Sequence, residues 1–419
     1  MEIEEAAALV RKSVAPILES EPCALESAFG RVLAKDVFAP IDLPPYAKSA
    51  MDGYAVRAAD TEGASAEKPV RLKVLGELFA GDWKEIPFSE NFAVRVMTGS
   101  PVPKGYDAVV MQEDTDCGQE EVLICKSVRP LQNYCALGED AKKGERLLLA
   151  GTRLGRAEIA VLASLGLARV EARRPARVSI LCVGSELTEP NLESNASPKL
   201  ALEPESNKSP KLAPGKIYSS LGSALSCSVK DAGFVVAALK ILADDESLIA
   251  SEIKNAARGS DIVITTGGVS VGKKDFLPKV LDLIGAKPLF CGVNVQPGTP
   301  TRASLLDGKL VLSLSGNPFA ALANFDLYFY EAAARLMECD SFLPRRTEAV
   351  LQDDYKKASP RRRLLRARLD GGKVFLPAQN HASSVIVNLI GCNCYVDVPA
   401  GKTLLAGDEV FVWNMGGTL

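Results

Sequence analysis

Strand-like and helix-like segments alternate through the middle of the chain, and this alternation constrains the fold more than any other feature. The first segment, residues 177–184, is a buried-type strand that ends in glycine. The segments that follow are a helix near 218–233, a strand at 235–241, a helix at 245–258, a strand at 261–266, a helix at 276–284, a strand at 309–314 and a helix at 318–337. This order predicts a parallel sheet with helices on both faces.

Polar loops follow three of these strands, at 184–186, 265–275 and 315–318. Ligands of parallel sheets bind outside the carboxyl ends of the strands. We therefore expect the three loops to lie at one edge of the sheet.

Two of the loops have the composition of anion-binding turns. Gly267 and Gly268 give the backbone freedom to approach an anion closely, and Ser270 can donate a hydrogen bond to it. In the second loop, Gly316 turns the chain and Pro318 can begin a helix whose first N–H groups are free. Two such loops in one sheet favour an anion site over purely structural turns.

Carboxylates are plentiful near these loops. They are Asp52, Glu113, Asp140, Glu186, Asp244 and Asp275. An anion site surrounded by acids is unfavourable unless a divalent cation bridges them, so we infer Mg²⁺ as part of the ligand. The alternative for each acid taken alone is a solvated surface residue or a helix cap, and N-capping explains either Asp244 or Asp245 before the helix at 245–258.

The sequence on either side of the α/β pattern is different. Residues 3–20 have helical periodicity, whereas residues 35–150 consist of short strands and turns that predict an all-β module inserted within a larger unit. Residues 345–419 return to short strands with glycine turns, which indicates a small β domain. The segment 194–201 is nearly repeated at 206–213, and we expect a disordered loop there, with partner binding as the less favoured alternative.

Composition excludes several classes of protein. The net charge of −3 argues against general nucleic-acid binding. The chain has no apolar run of membrane-spanning length and no signal-peptide pattern at its acidic N-terminus, so a cytoplasmic protein is expected. Ten cysteines with a single histidine argue against a Cys/His zinc site and favour reduced, buried cysteines. That histidine, His381, has no nucleophile elbow near it, which argues against a Ser–His–Asp mechanism.

An ordered series of motifs resembles one known family. In chain order these are the SAMDGYA loop at 49–55, the TGxPxP run at 98–103, the DAVVMxE run at 107–113, Gly-Glu-Asp at 138–140, Val-Gly-Ser-Glu-Leu at 183–187, the Gly-Gly loop at 267–275 and Gly-Asn-Pro at 316–318. By these motifs, which span nearly the full length, the chain is identified as a divergent member of the MoeA-type molybdopterin molybdenumtransferases, the family that includes the E domain of gephyrin.

The resemblance implies a function and an architecture. Molybdate would be inserted into adenylylated molybdopterin with hydrolysis of the nucleotide, and Mg²⁺ would take part. The protein would be an elongated homodimer with clefts that combine both chains, and a molybdopterin adenylyltransferase would be a partner. Its parts would be a linking domain at 23–44 and 145–174, an inserted β-rich domain at 45–144, an α/β molybdopterin-binding domain at 1–22 and 175–340 with a flexible insert at 190–214, and a C-terminal β-barrel-like domain at 341–419.

The family's site residues can be carried over by position. The resemblance implies catalytic roles for Asp52, Glu186, Asp244 and Asp275, of which Glu186, Asp244 and Asp275 would hold the metal. Substrate-binding roles would fall to Thr98, Asp140, Gly267, Gly268, Ser270, Ser315, Gly316, Asn317, Arg366 and Ser383 or Ser384. Arg366 and the serines would approach the oxyanion from the C-terminal domain.

The chain departs from the family in the loop before the last strand of the α/β domain. This loop usually reads K-P-G-K-P, whereas here Gln296 and Thr299 stand in place of the two lysines, and a further lysine position is Gly292. Charge-assisted hydrogen bonds hold a doubly charged oxyanion, so these losses weaken molybdate binding unless Arg366, Arg302 or Lys273 substitutes. The losses favour an alternative function, a catalytically impaired paralogue that binds molybdopterin or a partner protein. The acidic residues that the chain retains favour the active insertase.

Overall fold

The computed structural model describes residues 1–190, 212–269, 276–378 and 381–416. The chain forms two compact units. The first comprises Met1–Ala34, Gly151–Arg156 and Arg169–Leu419, and the second comprises Lys35–Ala150 and Ala157–Ala168. Within the described ranges, no helix is both long and apolar enough to cross a lipid bilayer.

The first part of the chain is rich in short strands. Its elements are α1 (Ile3–Ser13), β1 (Ser20–Ala24), β2 (Val37–Phe38), β3 (Lys48–Ser49), β4 (Gly53–Val56), β5 (Val70–Leu78), β6 (Phe92–Val96), β7 (Ala108–Met111), β8 (Glu121–Ile124), β9 (Tyr134–Cys135), β10 (Arg146–Leu148), α2 (Arg156–Ser164) and β11 (Arg169–Arg173). The second unit contains a five-stranded sheet in the order β7-β4-β6-β5-β8. Apolar side chains from both faces of this sheet are buried, as expected for the predicted all-β module.

The middle of the chain forms the predicted α/β domain. Its elements are β12 (Arg177–Val183), β13 (Leu187–Thr188), β14 (Ile217–Tyr218), α3 (Ser220–Asp231), β15 (Val235–Leu242), α4 (Glu246–Gly259), β16 (Ile262–Thr266), α5 (Leu277–Leu283), β17 (Lys287–Cys291), β18 (Val295–Gln296), β19 (Arg302–Leu306), β20 (Lys309–Leu314) and α6 (Pro318–Met337). Six strands pair in the order β15-β12-β16-β20-β19-β17. The first four are mutually parallel, and β19 and β17 extend the sheet in antiparallel pairing.

Alternate residues of the central strands bury side chains on opposite faces of the sheet. Ile262 and Ile264 belong to the core that includes α1, α3 and α6, whereas Val263 belongs to the core that includes α4 and α5. The N-terminal helix α1 packs against α6, and its Glu4 accepts two hydrogen bonds from Arg362. The first helix of the chain is therefore part of the α/β domain.

The C-terminal region is a small closed barrel. Its strands are β21 (Arg346–Leu351), β22 (Arg362–Asp370), β23 (Lys373–Phe375), β24 (Cys394–Val398) and β25 (Glu409–Asn414). They pair in the order β22-β23-β21-β25-β24, and pairing between β22 and β24 closes the ring. Strand β18 pairs in parallel with the start of β22 and so connects the α/β domain to the barrel.

Three expectations from the sequence need correction. The helix predicted over 3–20 ends at Ser13, because Pro16 disfavours helical backbone at the residue before it and Val14 is already extended. The two antiparallel edge strands, β17 and β19, were not predicted. The ten cysteines are unpaired as expected, but Cys117, Cys227 and Cys291 are exposed rather than buried.

Two further expectations remain predictions. The bounds of the four parts that the resemblance implies stay a prediction, since the contacts within the chain divide it into two units. Of the repeated segment at 194–213, only residues 212 and 213 lie within the described ranges.

Candidate functional site

The carboxyl ends of the parallel strands meet at one edge of the α/β sheet, as predicted. The Gly267 N–H donates to the carbonyl oxygen of Leu314 at 3.1 Å, and the Gly184 N–H donates to that of Leu242 at 2.9 Å. A Cβ added to Gly267 would lie 2.3 Å from the carbonyl oxygen of Val183. Only glycine fits this position, because its φ is +86° as well.

Asp244 and Ser185 fasten two of the strand ends together. The Ser185 N–H donates to Asp244 Oδ2 at 3.2 Å, and the Asp244 N–H donates to Ser185 Oγ at 3.0 Å. Lys216 Nζ donates to the carbonyl oxygen of Ser185 at 2.5 Å. Asp245, rather than Asp244, caps α4, since its side chain accepts from the Leu248 N–H at 2.7 Å. Asp244 is therefore available for a role at the sheet edge.

The predicted metal ligands are described only in part. Glu186 is exposed and Asp244 is half-buried at the sheet edge, whereas Asp275 and the predicted anion donor Ser270 lie outside the described residues. Among the residues described, no three acidic, histidine or cysteine side chains lie close enough together to hold a metal ion. The two carboxylates are oxygen donors of the kind that Mg²⁺ prefers, and the metal site stays a prediction.

A cavity of about 650 Å³ lies between the α/β domain and the barrel, within the first unit. It is lined by Gln296, Pro297, Gly298, Thr299, Pro300, Ser315, Asn317, Ala320, Tyr355, Lys357, Arg363, Leu364, Leu365, His381, Ala382 and Ser383. The predicted binding residues Ser315, Asn317 and Ser383 are therefore brought together here. The lining includes two cations, Lys357 and Arg363, and no carboxylate among the described residues.

The loop 296–300 closes one side of this cavity in a fixed conformation. Gly298 has a φ of +99°, and a Cβ added there would lie 1.8 Å from Asn324 Nδ2. The same Nδ2 atom donates to the carbonyl oxygens of Pro297 at 3.0 Å and Ala320 at 2.8 Å. Asn324 thus connects the loop to helix α6.

Arg366 lies behind the cavity wall rather than in it. Its side chain is fully buried, with the guanidinium carbon 4.2 Å from the centroid of the Phe319 ring. It donates to the carbonyl oxygens of Val385 and, at 2.7 Å, of Ala382. Burial lowers the pKa of Arg366 from its ordinary value. In this arrangement Arg366 holds the segment that carries Ser383 in place.

His381 forms part of the cavity wall beside Tyr355. The two rings meet edge to face with centroids 5.7 Å apart. The pKa of His381 is lowered from 6.5, first by burial and then by the charges of Arg366 and Arg363. Its Nδ1 atom is buried and has no hydrogen-bond partner within the described ranges. The imidazole is therefore neutral at pH 7.

The second unit contains the SAMDGYA loop. Asp52 Oδ1 accepts hydrogen bonds from the backbone N–H and from the hydroxyl of Thr98, both at 2.7 Å. These two hydrogen bonds lower the pKa of Asp52, which is exposed. Asp140 is also exposed and lines a separate cavity of about 640 Å³ together with Lys48 and Glu139. The structure thus pairs Asp52 with Thr98, while Asp140 lines a cavity to which neither of these two residues contributes.

Comparisons with known proteins agree along the whole chain. Residues 1–166 match the family model of the MoeA N-terminal region, domains I and II. Residues 179–335 match a probable molybdopterin binding domain, and residues 348–415 match the MoeA C-terminal region, domain IV.

Individual relatives cover nearly all of the chain. A molybdopterin molybdenumtransferase of Staphylococcus epidermidis is 36% identical over 93% of this chain and 89% of its own length. One from Staphylococcus aureus strain COL is 33% identical over 90% of this chain and 87% of its own length. The crystal structure of a molybdopterin biosynthesis MoeA protein from Pyrococcus horikoshii OT3 superposes with a TM-score of 0.81 at 29% identity, covering 99% of both chains. This chain belongs to the MoeA family.

The cations that line the cavity of this MoeA chain were not predicted. Arg366, Arg302 and Lys273 were the expected replacements for the missing lysines, whereas Arg363 and Lys357 line the cavity. Arg302 Nη1 donates to Cys291 Sγ at 3.5 Å on the edge strands, and Lys273 lies outside the described residues. The available signal was the cluster of arginines at 361–363, which precedes a strand rich in apolar residues.

Proposed function

We propose that this chain acts in molybdenum cofactor biosynthesis and inserts molybdate into adenylylated molybdopterin, with hydrolysis of the nucleotide. The observation that carries the proposal is the cavity of about 650 Å³, whose lining combines Lys357 and Arg363 with no described carboxylate. A cavity whose described lining has this charge attracts a small anion. The relatives named above supply the reaction class.

Neutral donors in the cavity suit a tetrahedral oxyanion. Asn317 and Ser383 contribute side-chain donors, and Asn317 precedes the first turn of α6. The dipole of the helix N-terminus adds a favourable field for an anion. Pro318 has no N–H, and the Phe319 N–H donates to the carbonyl oxygen of Ser383 at 3.2 Å, so the first turn of α6 acts through its dipole. Molybdate bound here would be oriented by Arg363 and Lys357 and partly shielded from water by Leu364 and Leu365.

The pterin nucleotide would bind along the strand ends at 184–186, 267–268 and 315–317. Gly267 and Gly268 permit close approach of its phosphates to the backbone. Glu186 and Asp244 would hold Mg²⁺, which would neutralise phosphate charge. Catalytic roles for Asp52, Thr98 and Asp140, the homodimer and the adenylyltransferase partner remain predictions from the resemblance.

The impaired paralogue is not favoured. Its support came from the loss of lysines at 296 and 299, and the cationic lining of the cavity weakens that argument. A non-catalytic scaffold also has no need for a polar cavity whose described lining holds two cations and no carboxylate.

The decisive experiment is a turnover assay with the purified full-length chain. Adenylylated molybdopterin is supplied with Mg²⁺, and AMP release is followed with and without molybdate. We expect molybdate-dependent AMP release, and an Asp244→Asn variant should lose most of it. Binding of the pterin nucleotide without any molybdate-dependent AMP release would overturn the proposal and favour the paralogue.

A further inference from the structure

Arg363 is a half-buried cation whose donors go to neutral acceptors. Its Nη1 donates to Tyr355 Oη at 2.8 Å, and its Nη2 donates to Gln296 Oε1 at 2.9 Å. Its Nε is buried and has no hydrogen-bond partner in the described part of the chain. Within that part, Arg363 also forms no ion pair with a carboxylate. A half-buried charge without a counter-charge is costly, so the fold maintains an uncompensated guanidinium at the cavity.

The preceding residue on strand β22 shows the contrast. Arg362 forms ion pairs with Asp397 and Glu4, and these interactions raise its pKa. The two arginines are neighbours in sequence and point to opposite sides of the strand. One charge is neutralised within the fold, and the other is left for the cavity.

Gln296 is fixed beside Arg363 by strand pairing. Strands β18 and β22 run parallel, with Gln296 opposite Arg363 in the register. Gln296 Oε1 also accepts from Ser359 Oγ at 2.9 Å, so this oxygen receives two donors. Thr299 shows a related contact at the edge of the cavity, because its Oγ1 accepts from Arg361 Nη1 at 3.2 Å.

A lysine could not replace Gln296 in this arrangement. An ammonium group has three donors and no acceptor, so it would repel the guanidinium instead of orienting it. The neutral acceptor at 296 and the arginine at 363 therefore form a matched pair.

We infer that Gln296 is a positioning residue that presents the guanidinium of Arg363 to a tetrahedral dianion in the cavity, so that strand β22 supplies the charge and the 296–300 loop orients it. The planar fork of arginine suits bidentate contact with two oxygens of such an anion. This inference rests on the proposed function in one respect only, namely that the anion bound by the protein is molybdate.

Tungstate, a tetrahedral dianion, is the probe, and its affinity for the full-length chain is measured by calorimetry at several salt concentrations. Arg363→Gln should weaken binding at least tenfold and reduce its salt dependence. Arg368→Gln, on the same strand but exposed and paired with Asp370, is the matched control and should bind as the wild type does. Wild-type affinity in Arg363→Gln, or no tungstate binding by the wild type, would overturn the inference.

Gln296→Glu separates positioning from a purely structural role. The new carboxylate would pair with Arg363, so the variant should unfold at the same or a higher temperature while losing tungstate affinity at least tenfold. Gln296→Lys alone should also weaken tungstate binding. Combined with Arg363→Gln, it should restore part of the lost affinity, because the lysine of the 296–300 loop then supplies the positive charge in place of Arg363. If Gln296→Glu is stable and binds tungstate normally, Gln296 does not position Arg363.

The two proposals fail in different ways. A wild type that binds tungstate but shows no molybdate-dependent AMP release refutes the proposed function and leaves the role of Arg363 intact. An Arg363→Gln variant with unchanged tungstate binding and turnover refutes the inference and leaves the proposed function intact.

Discussion

Tyr395 Oη donates a hydrogen bond of 2.6 Å to Asp326 Oδ2 at the buried junction between helix α6 and strand β24. Burial raises the pKa of Asp326 from 3.8 to about 7, although this hydrogen bond and one from the Gly416 backbone oppose the rise. The barrel is therefore attached to the α/β domain through a carboxyl group that is largely protonated in mildly acidic solution.

Asp326 should make the protein less stable as the pH rises. The pKa of Asp326 in the folded protein, about 7, lies above the ordinary value of 3.8, so the folded state binds the proton more tightly than the unfolded state does. The free energy of unfolding therefore decreases as the pH rises from about 4 to about 7. Asp326→Asn should remove this loss and stabilise the protein at pH 8 by on the order of 2–4 kcal/mol relative to wild type. Urea unfolding at pH 5 and pH 8 measures the difference. Asp370→Asn, which changes an exposed carboxylate, is the control, and a lower stability of Asp326→Asn at pH 8 would contradict the prediction.

Replacing Arg366 with methionine should destabilise the barrel. The carbonyl groups of Ala382 and Val385 would lose their buried donors, which costs about 3 kcal/mol in the free energy of unfolding. Arg368→Met on the same strand should change it by about 0.5 kcal/mol or less, since its ion pair with Asp370 is exposed. Chemical denaturation of both variants provides the comparison. Equal effects would mean that Arg366 does not hold the 382–385 segment.

Gly298→Ala should be much more harmful than Gly308→Ala. Both residues have positive φ, but a Cβ at Gly298 meets Asn324 at 1.8 Å, whereas one at Gly308 meets nothing within 4 Å. We expect a loss of about 2–4 kcal/mol for Gly298→Ala and about 1 kcal/mol for Gly308→Ala. Tungstate affinity should fall only in the first variant, because only the first displaces the cavity loop. Calorimetry and thermal unfolding distinguish these outcomes.

Anion binding should depend on pH through His381. Burial and the charges of Arg366 and Arg363 lower its pKa in the free protein, and an anion in the cavity opposes that lowering. Binding should therefore take up a proton, and tungstate affinity should rise several-fold from pH 8 to pH 6. His381→Asn should flatten this dependence. Calorimetry in two buffers of different ionisation enthalpy measures the proton uptake, and an unchanged pH slope in the variant would refute the assignment.

The arrangement of the strand ends could be predicted from sequence for a simple physical reason. Apolar runs that stop at a glycine, as at 177–184 and 262–267, mark buried parallel strands, and the carboxyl ends of such strands share one edge. The edge strands β17 and β19 were not predictable in the same way. They are short, Pro288 lies within one of them, and their mixed burial gives no clear alternation.

The choice between Arg363 and Arg366 could not be made from the sequence either. Strand β22 buries side chains on both faces, with Leu365 in the barrel core and Leu364 in the α/β core. The alternation of side chains along β22 therefore shows that both faces of the strand are buried, but it does not show which face borders the cavity. That distinction depends on the pairing of β18 with β22, a contact between segments more than sixty residues apart that no local pattern records.

The contact between Glu4 and Arg362 joins residues 358 positions apart. During synthesis, helix α1 leaves the ribosome long before α6 and β22 exist, so its apolar face lacks the helix that it mainly packs against until late in translation. The intervening second unit, which needs no residue beyond 168, can reach its native state first. Ribosome-bound chains halted before residue 318 should therefore show a protease-resistant core from the second unit and an N-terminus that is still cleaved.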